Sequence, residues 1–324
     1  MLRSQRHGIL KSSRTEPLRK PQIPTEKIVV SSFSRMVDLP DLVQYFTRPI
    51  YNPHQYCLMD WKKIIIGKWS WKRPFYTLFW SYALLTFYGY FMADNIIFQP
   101  PGTPYPKNRA GFSSIGTGDR AVAIFHLKPS PKMPTILWSH GNAQNLKSLK
   151  PALESFHIRG FGVISYDYPG YGESSGKPTE KGCYEAIEKT YRYLIEDQGV
   201  APENIILVGQ SVGSGPTCWL ASQKNHHSIV LISPFLSAYQ TVTHIPIFPG
   251  DRFPNYRHLK KVNSPLVVIH GVEDQIVPFS NGKKLFELSP ATDKKLIPVP
   301  KVGHNDIFLK SDLDLSSIFI EIAA

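Results

Sequence analysis

The sequence predicts an α/β fold: a mostly parallel sheet with helices on both faces. Three observations carry that expectation. Several short runs, "NIILVG", "SIVLIS" and "PLVVIH" among them, are wholly apolar, as strands covered on both faces must be. Longer stretches repeat apolar residues at helical spacing. The two kinds alternate along the chain, which calls for parallel pairing through right-handed crossovers.

Residues 1–60 are polar, rich in Ser, Pro and basic residues, and lack apolar periodicity; such a segment reads as a largely disordered arm. The net charge of +12 on 324 residues is concentrated near this end. Residues 1–73 hold 14 Lys/Arg against 5 Asp/Glu, a net of +9, and the rest hold 23 against 20. Nucleic-acid binding would need the basic excess on the folded domain, interleaved with aromatics, so it is excluded as a function class. Lys62, Lys63, Lys68, Lys72 and Arg73 instead lead into an uncharged run, "PFYTLFWSYALLTFYGYFMA", over 74–93. Twenty residues suffice for a helix to cross ~30 Å of hydrocarbon. The expected organisation is therefore a basic juxtamembrane segment with a transmembrane helix over 61–93, then a catalytic domain over 94–324. The positive-inside bias makes this a single-pass membrane protein with a cytoplasmic N-terminus, and a basic arm beside a bilayer draws anionic lipid.

In the domain, "NIIFQP", "AVAIFHL" and "TILWSH" read as strands. A helix follows from about Asn145, with Leu146, Leu149, Leu153 and Phe156 on one face. "FGVISYDY" is the next strand, and Ala186, Ile187, Tyr191 and Leu194 mark the next helix. Three widely spaced cysteines, Cys57, Cys183 and Cys218, make neither a disulfide framework nor a metal knuckle.

Chemistry enters at "NIILVGQSVGSGP". Ser211 stands where a buried strand must reverse into a helix, and Gly209 and Gly213 flank it two residues away on either side. This is the G-x-S-x-G nucleophile elbow, in which the glycines let a hydroxyl stand exposed at a helix N-terminus. By composition such a pentapeptide arises in roughly one chain of this length in ten, so its companions decide. A serine nucleophile needs a base, the base needs an orienting acid, and the oxyanion needs donors. Asp274 follows the strand "PLVVIH", and His304 follows in "VPKVGHND", giving the order Ser, acid, His. Asp251 is a rival acid without a strand ahead of it, while His157, His226 and His227 lie in less suitable contexts. The backbone N–H groups of Asn142, in "LWSHGNAQN", and of Val212, next to the serine, are the candidate oxyanion donors. Main-chain donation would leave side-chain identity at these positions uninformative. "DYPGYGESSG" reads as a structural turn below the site. The absence of HExxH, phosphate-loop and dinucleotide motifs implies no metal and no organic cofactor.

With "SHGNAQN", "YDYPGYGESSGKP", "GQSVGSGPT", "IHGVEDQIVPFSNGKKL" and "GHNDI" in succession, the chain resembles the α/β-hydrolase superfamily. It is most similar to the membrane-associated branch that includes protein depalmitoylases and bacterial membrane-anchored serine hydrolases. The resemblance covers about residue 94 to the C-terminus. It implies an eight-stranded, mostly parallel sheet with a small cap, here about 236–263, and acyl-enzyme hydrolysis by Ser211, His304 and Asp274. The depalmitoylases carry an N-terminal cysteine cluster, whereas this arm has only Cys57. The expected partners are an acyl ester or thioester substrate and membrane lipid. An aminopeptidase-like serine peptidase and a catalytically silent membrane scaffold are the alternatives. Acyl-chain length, the side of the membrane and oligomeric state are left open.

Overall fold

The computed structural model describes residues 70–102, 105, 110–243, 250–308 and 313–323. The arm expected over 1–60, and residues 61–69 of the juxtamembrane segment, lie outside the described residues. Eight strands form the sheet: β1 (Phe112–Ile115), β2 (Val122–Leu127), β3 (Thr135–Ser139), β4 (Gly162–Tyr166), β5 (Ile205–Gln210), β6 (Ser228–Ile232), β7 (Leu266–Gly271) and β8 (Lys294–Val299). Their order is β1-β2-β4-β3-β5-β6-β7-β8. The β1–β2 and β2–β4 pairs are antiparallel and all others parallel. The longer helices are α1 (Arg73–Ile97), α2 (Leu146–Ile158), α3 (Glu180–Arg192), α4 (Ser214–Ala221), α5 (Phe279–Leu288) and α6 (Leu315–Ala323).

The apolar strands divide their side chains between two cores, as the pleat requires. Ile136, Trp138, Ile206, Val208 and Val230 pack with α2 and α6 on one face. Leu137, Ile164, Leu207, Leu231 and Val268 pack with α3, α4 and α5 on the other. Burying each such side chain is worth about 1.5–3 kcal/mol, and this central block fixes where the strand ends point. Leu146, Leu149, Leu153 and Phe156 are all buried, as their spacing predicts. Asn145 caps α2 reciprocally with Ser148, which sets the helix start at its expected place. In β8, Pro298 is accommodated because this strand is last in the sheet order, where a missing N–H costs no ladder bond on the open side.

Two expectations are corrected at the N-terminal end. "NIIFQP" is not a strand: Asn95–Ile97 close α1, and Phe98 N–H still donates to the Asp94 carbonyl at 2.9 Å. Two adjacent isoleucines fit the end of a helix as well as a strand, and only the continuing ladder decides. The transmembrane helix is also overturned. Helix α1 is 25 residues long, yet no helix among the described residues is both long and apolar enough to cross a membrane. The uncharged run is diluted by Ser, Thr and Gly, and by Tyr and Trp, which favour an interface over a hydrocarbon centre. Single-pass topology loses its support with it. The helix runs through the boundary drawn at Asp94, and the compact unit begins at Ser70.

The described tethers of helix α1 lie toward its C-terminal end. Phe98 is buried against Tyr171 and Phe253 in edge-on contacts at 6.4 and 6.0 Å. Arg252 pairs with Asp94 at 3.2 Å, and the Tyr239 hydroxyl donates to the Gly89 carbonyl at 3.1 Å. Toward its start, Phe75, Leu78, Phe79 and Trp80 are each at least 60% exposed among the described residues.

Candidate active site

Ser211 stands on a strained backbone directly after β5. Its φ is +52°, a left-handed conformation that an L-residue adopts only where its surroundings compel it. A short 3-10 turn over Ser211–Gly213 then passes directly into α4. A Cβ on Gly209 would meet the Gly213 carbonyl oxygen and Ser214 Cα at 2.8 Å. A Cβ on Gly213 would run into the Ser139 carbonyl oxygen and lie 2.7 Å from that of His140. Neither glycine needs positive φ; both are demanded by the closeness with which the elbow passes the end of β3.

The two loops that follow β7 and β8 are stitched together. Val272 N–H donates to the Val299 carbonyl at 2.9 Å and Glu273 N–H to that of Val302 at 3.1 Å. Gly271 permits this approach, since a Cβ there would strike the Val302 carbonyl. The result brings three side chains from three distant segments into line. Ser211 Oγ lies 2.8 Å from His304 Nε2, and His304 Nδ1 lies 2.6 Å from Asp274 Oδ2. The other carboxylate oxygen accepts the N–H groups of Ile276 at 3.0 Å and Val277 at 2.8 Å.

Sequence reasoning passed over His270. It is fully buried, with Nε2 at 3.3 Å from Asp274 Oδ2 and 2.8 Å from the Val277 carbonyl. Both neighbours are acceptors, so Nε2 carries the proton and donates. Its Nδ1 has no hydrogen-bond partner among the described residues and packs on Gly282, where a Cβ would collide with it. Burial pushes the Asp274 carboxyl up, but the hydrogen bonds from His270 and His304, with the charge of His304 and the Val277 amide, outweigh it and hold the carboxyl well below its usual range. The signal was present as a histidine four residues before the acid, at the end of the same strand; at a lone strand terminus it resembled an ordinary core residue.

Asn142 and Val212 both line the cleft beside Ser211. The Asn142 side chain is fully engaged elsewhere. Its Oδ1 accepts from Tyr171 OH at 2.6 Å, Gln99 N–H at 3.0 Å and Ala143 N–H at 3.1 Å, and its Nδ2 donates to the Ile97 carbonyl at 2.6 Å. The expectation that side-chain identity here would be uninformative is therefore corrected: this amide ties the end of α1 to the loop after β3. The neighbouring Gly141 N–H is taken by Gln144 Oε1 at 2.8 Å. The "DYPGYGESSG" turn supports this loop from below, with Tyr168 OH donating to the His140 carbonyl at 2.5 Å. Asp251, the rival acid, accepts from Tyr239 N–H at 2.8 Å and does not line the cleft.

The cleft has a volume of about 770 Å³ and opens at the carboxyl ends of the strands, where ligands of open α/β sheets bind. Its walls are mostly apolar: Leu85, Ala93 and Ile96 from α1 face Phe235, Ile276 and Val277 from the domain. No group of three or more His, Cys, Asp or Glu residues suited to a metal occurs among the described residues.

The comparisons with known proteins agree with this architecture. Residues 134–249 match the family model described as alpha/beta hydrolase fold. The chain is 42% identical over 212 residues to mouse alpha/beta hydrolase domain-containing protein 17C, covering 61% of this chain and 62% of that protein. It is 39% identical over 206 residues to human alpha/beta hydrolase domain-containing protein 17B, covering 59% of this chain and 67% of the relative. The chain thus spans a little under two thirds of the 17C protein's length. Among solved structures, mouse alpha/beta hydrolase domain-containing protein 10 superposes with a TM-score of 0.52 at 22% identity, over 66% of this chain and 97% of that one. DcsB in complex with its substrate analogue does so with a TM-score of 0.55 at 16% identity, over 65% and 97%; at such identities the likeness concerns the fold. In sheet order and in sequence, this chain belongs to the alpha/beta hydrolase family.

Proposed function

We propose that the protein is a membrane-associated serine hydrolase that cleaves carboxylic esters or thioesters with lipid-like acyl groups. The observation that carries this reading is the Ser211–His304–Asp274 alignment, at 2.8 and 2.6 Å, on the floor of an apolar cleft. Ser211 O–H attacks the acyl carbonyl while His304 Nε2 takes its proton. The backbone N–H groups of Asn142 and Val212 receive the oxyanion, and His304 returns the proton to the leaving alcohol or thiol. Water, deprotonated by the same imidazole, then releases the acid and restores the serine. Asp274 fixes the imidazole tautomer by accepting from Nδ1–H, and His270 holds Asp274 in turn. The chemistry requires no cofactor.

Membrane association is the second part of the reading. Fourteen of the nineteen exposed large apolar side chains among the described residues lie between Trp71 and Ile96. Surfaces of that kind mark interaction sites, and Trp and Tyr favour the headgroup level of a bilayer. The basic residues just ahead, from Lys62 to Arg73, suit an anionic lipid surface. An aminopeptidase would need carboxylates in the cleft to hold a substrate amine, and Asp251 is placed and bonded elsewhere.

The test is a fluorophosphonate probe, with and without Ser211→Ala, followed by p-nitrophenyl acyl esters against aminoacyl anilides. The reading expects Ser211-dependent labelling and ester turnover. Labelling that survives Ser211→Ala, or turnover of anilides alone, overturns it.

A further inference from the structure

We infer that one face of α1, carrying Leu85, Gly89 and Ala93, is the wall of the acyl-chain subsite and sets the chain length the protein accepts. This rests on the serine-hydrolase reading above and adds the substrate's dimensions. The three residues are spaced four apart, so they stack along one side of the helix. All three line the same cleft as Ser211 and His304, and Ile96 and Ile97 continue the strip down to the Asn142 loop. From Leu85 to Ile97 the strip runs ~18 Å at a rise of 1.5 Å per residue. One leaflet of a bilayer, half of ~30 Å, is spanned by a single acyl chain. The strip therefore matches a long acyl chain, with its carboxyl end at the serine.

The wall is fixed in place. Gly89 is held through its carbonyl by Tyr239 OH, Tyr90 through its carbonyl by Arg252 at 3.3 Å, Asp94 by the Arg252 guanidinium, and Ile97 by Asn142. These tethers join α1 to the cap and to the loop after β3, two of the elements that line the cleft with it. A second feature points to an occupant. Leu85 and Ile96 are 59% and 63% exposed although they line a cavity, so the apolar surface inside the cleft stands open. A Cβ added at Gly89 would have nothing within 4 Å. The missing side chain at this point is the space the acyl chain takes, and the position acts as a size gate.

The experiment uses the purified full chain and compares kcat/KM for p-nitrophenyl butyrate and p-nitrophenyl laurate. In the wild type, turnover rises with chain length by up to about fourfold per methylene buried, until the strip is covered. Gly89→Leu fills the gate, and the laurate-to-butyrate ratio falls at least tenfold. Leu85→Ser, at an exposed position that does not disturb folding, lowers the same ratio severalfold, and serves where Gly89→Leu melts early. Ratios within twofold of wild type in both variants, with ester turnover still abolished by Ser211→Ala, overturn the subsite while leaving the serine-hydrolase reading intact. Absence of Ser211-dependent turnover of any ester overturns both.

Discussion

Two glycines show how differently the elbow and α1 are built. Gly213 sits where two backbone carbonyls leave no room for a methyl group, and Gly89 sits in open space inside a cleft. The elbow is determined by its interior: a left-handed serine, a buried strand before it, and strand-end carbonyls pressed against it. Helix α1 is determined by what it faces, with its last turns tied to the domain and its aromatic surface exposed among the described residues. On the proposed reading, chemistry that needs sub-ångström placement is built on the first kind of structure, and recognition of a flexible, apolar acyl chain tolerates the second, because burial of methylenes is non-directional.

The sharpest way to break this contrast is to remove the reacting atoms. Ser211→Ala is expected to lower kcat for ester hydrolysis by 10³-fold or more with Tm nearly unchanged; esterase assays and calorimetry on one preparation test this. A comparable loss of Tm would mean that the hydroxyl is structural. Next comes the glycine pair. Gly213→Ala should cost roughly 2–4 kcal/mol, because the contacts are with backbone and neither partner yields. Gly89→Ala should be neutral or stabilise by up to about 1 kcal/mol, as an alanine relieves a helix interior of glycine's entropy. Urea melts of both variants measure the difference, and equal effects would erase the distinction between the two regions.

His270 offers a finer probe. His270→Gln, which retains a donor near Asp274, should keep more activity than His270→Phe. The latter leaves the carboxylate short of one bond and should shift the acid limb of the pH–rate profile upward. A profile unmoved by either change would reduce His270 to core packing.

A pH effect on stability should be of intermediate size. Burial, with Lys128 adding, pushes His126 down to about 4, and burial with Lys261 and Arg257 does the same for His258. A histidine depressed in the folded state stabilises above its ordinary value near 6.5 and loses that contribution as pH falls toward 4. Asp274, also depressed, acts only below its ordinary 3.8. Tm should therefore fall between pH 7 and pH 5, and His258→Gln should flatten that slope. The smallest effect expected concerns the tether: a double-mutant cycle on Arg252→Ala and Asp94→Ala should give a coupling of about 0.5–1 kcal/mol, since both groups are only partly exposed. Faster proteolysis within α1 is the accompanying sign.

The parts of the molecule legible in the sequence are those where local chemistry and tertiary demand coincide. Wholly apolar runs became the central strands, the α2 face buried as spaced, and G-x-S-x-G, Asp274 and His304 came together because each lies just beyond a strand end of one sheet. Where one local pattern served two structures, reading along the chain failed. "NII" fits a strand or a helix end, and an uncharged aromatic run fits a bilayer or a helix bordering a cleft. The Asn142 side chain was missed because its partner, Ile97, is 45 residues away; His270 was missed because, four residues before Asp274, it looks like an ordinary core residue at the end of a strand.

By itself, then, the sequence determined the sheet, the order of Ser211, Asp274 and His304 and the basic, aromatic character of the N-terminal third, because period, composition and glycine placement are local properties of a chain. Only the tertiary structure decided that α1 forms a wall of the cleft, that a second histidine holds the acid, and that an asparagine side chain clamps a helix end. The first and third depend on which distant atoms meet, which no spacing along a single chain records; the second depends on how the turn after β7 folds back, which the four-residue spacing alone does not fix.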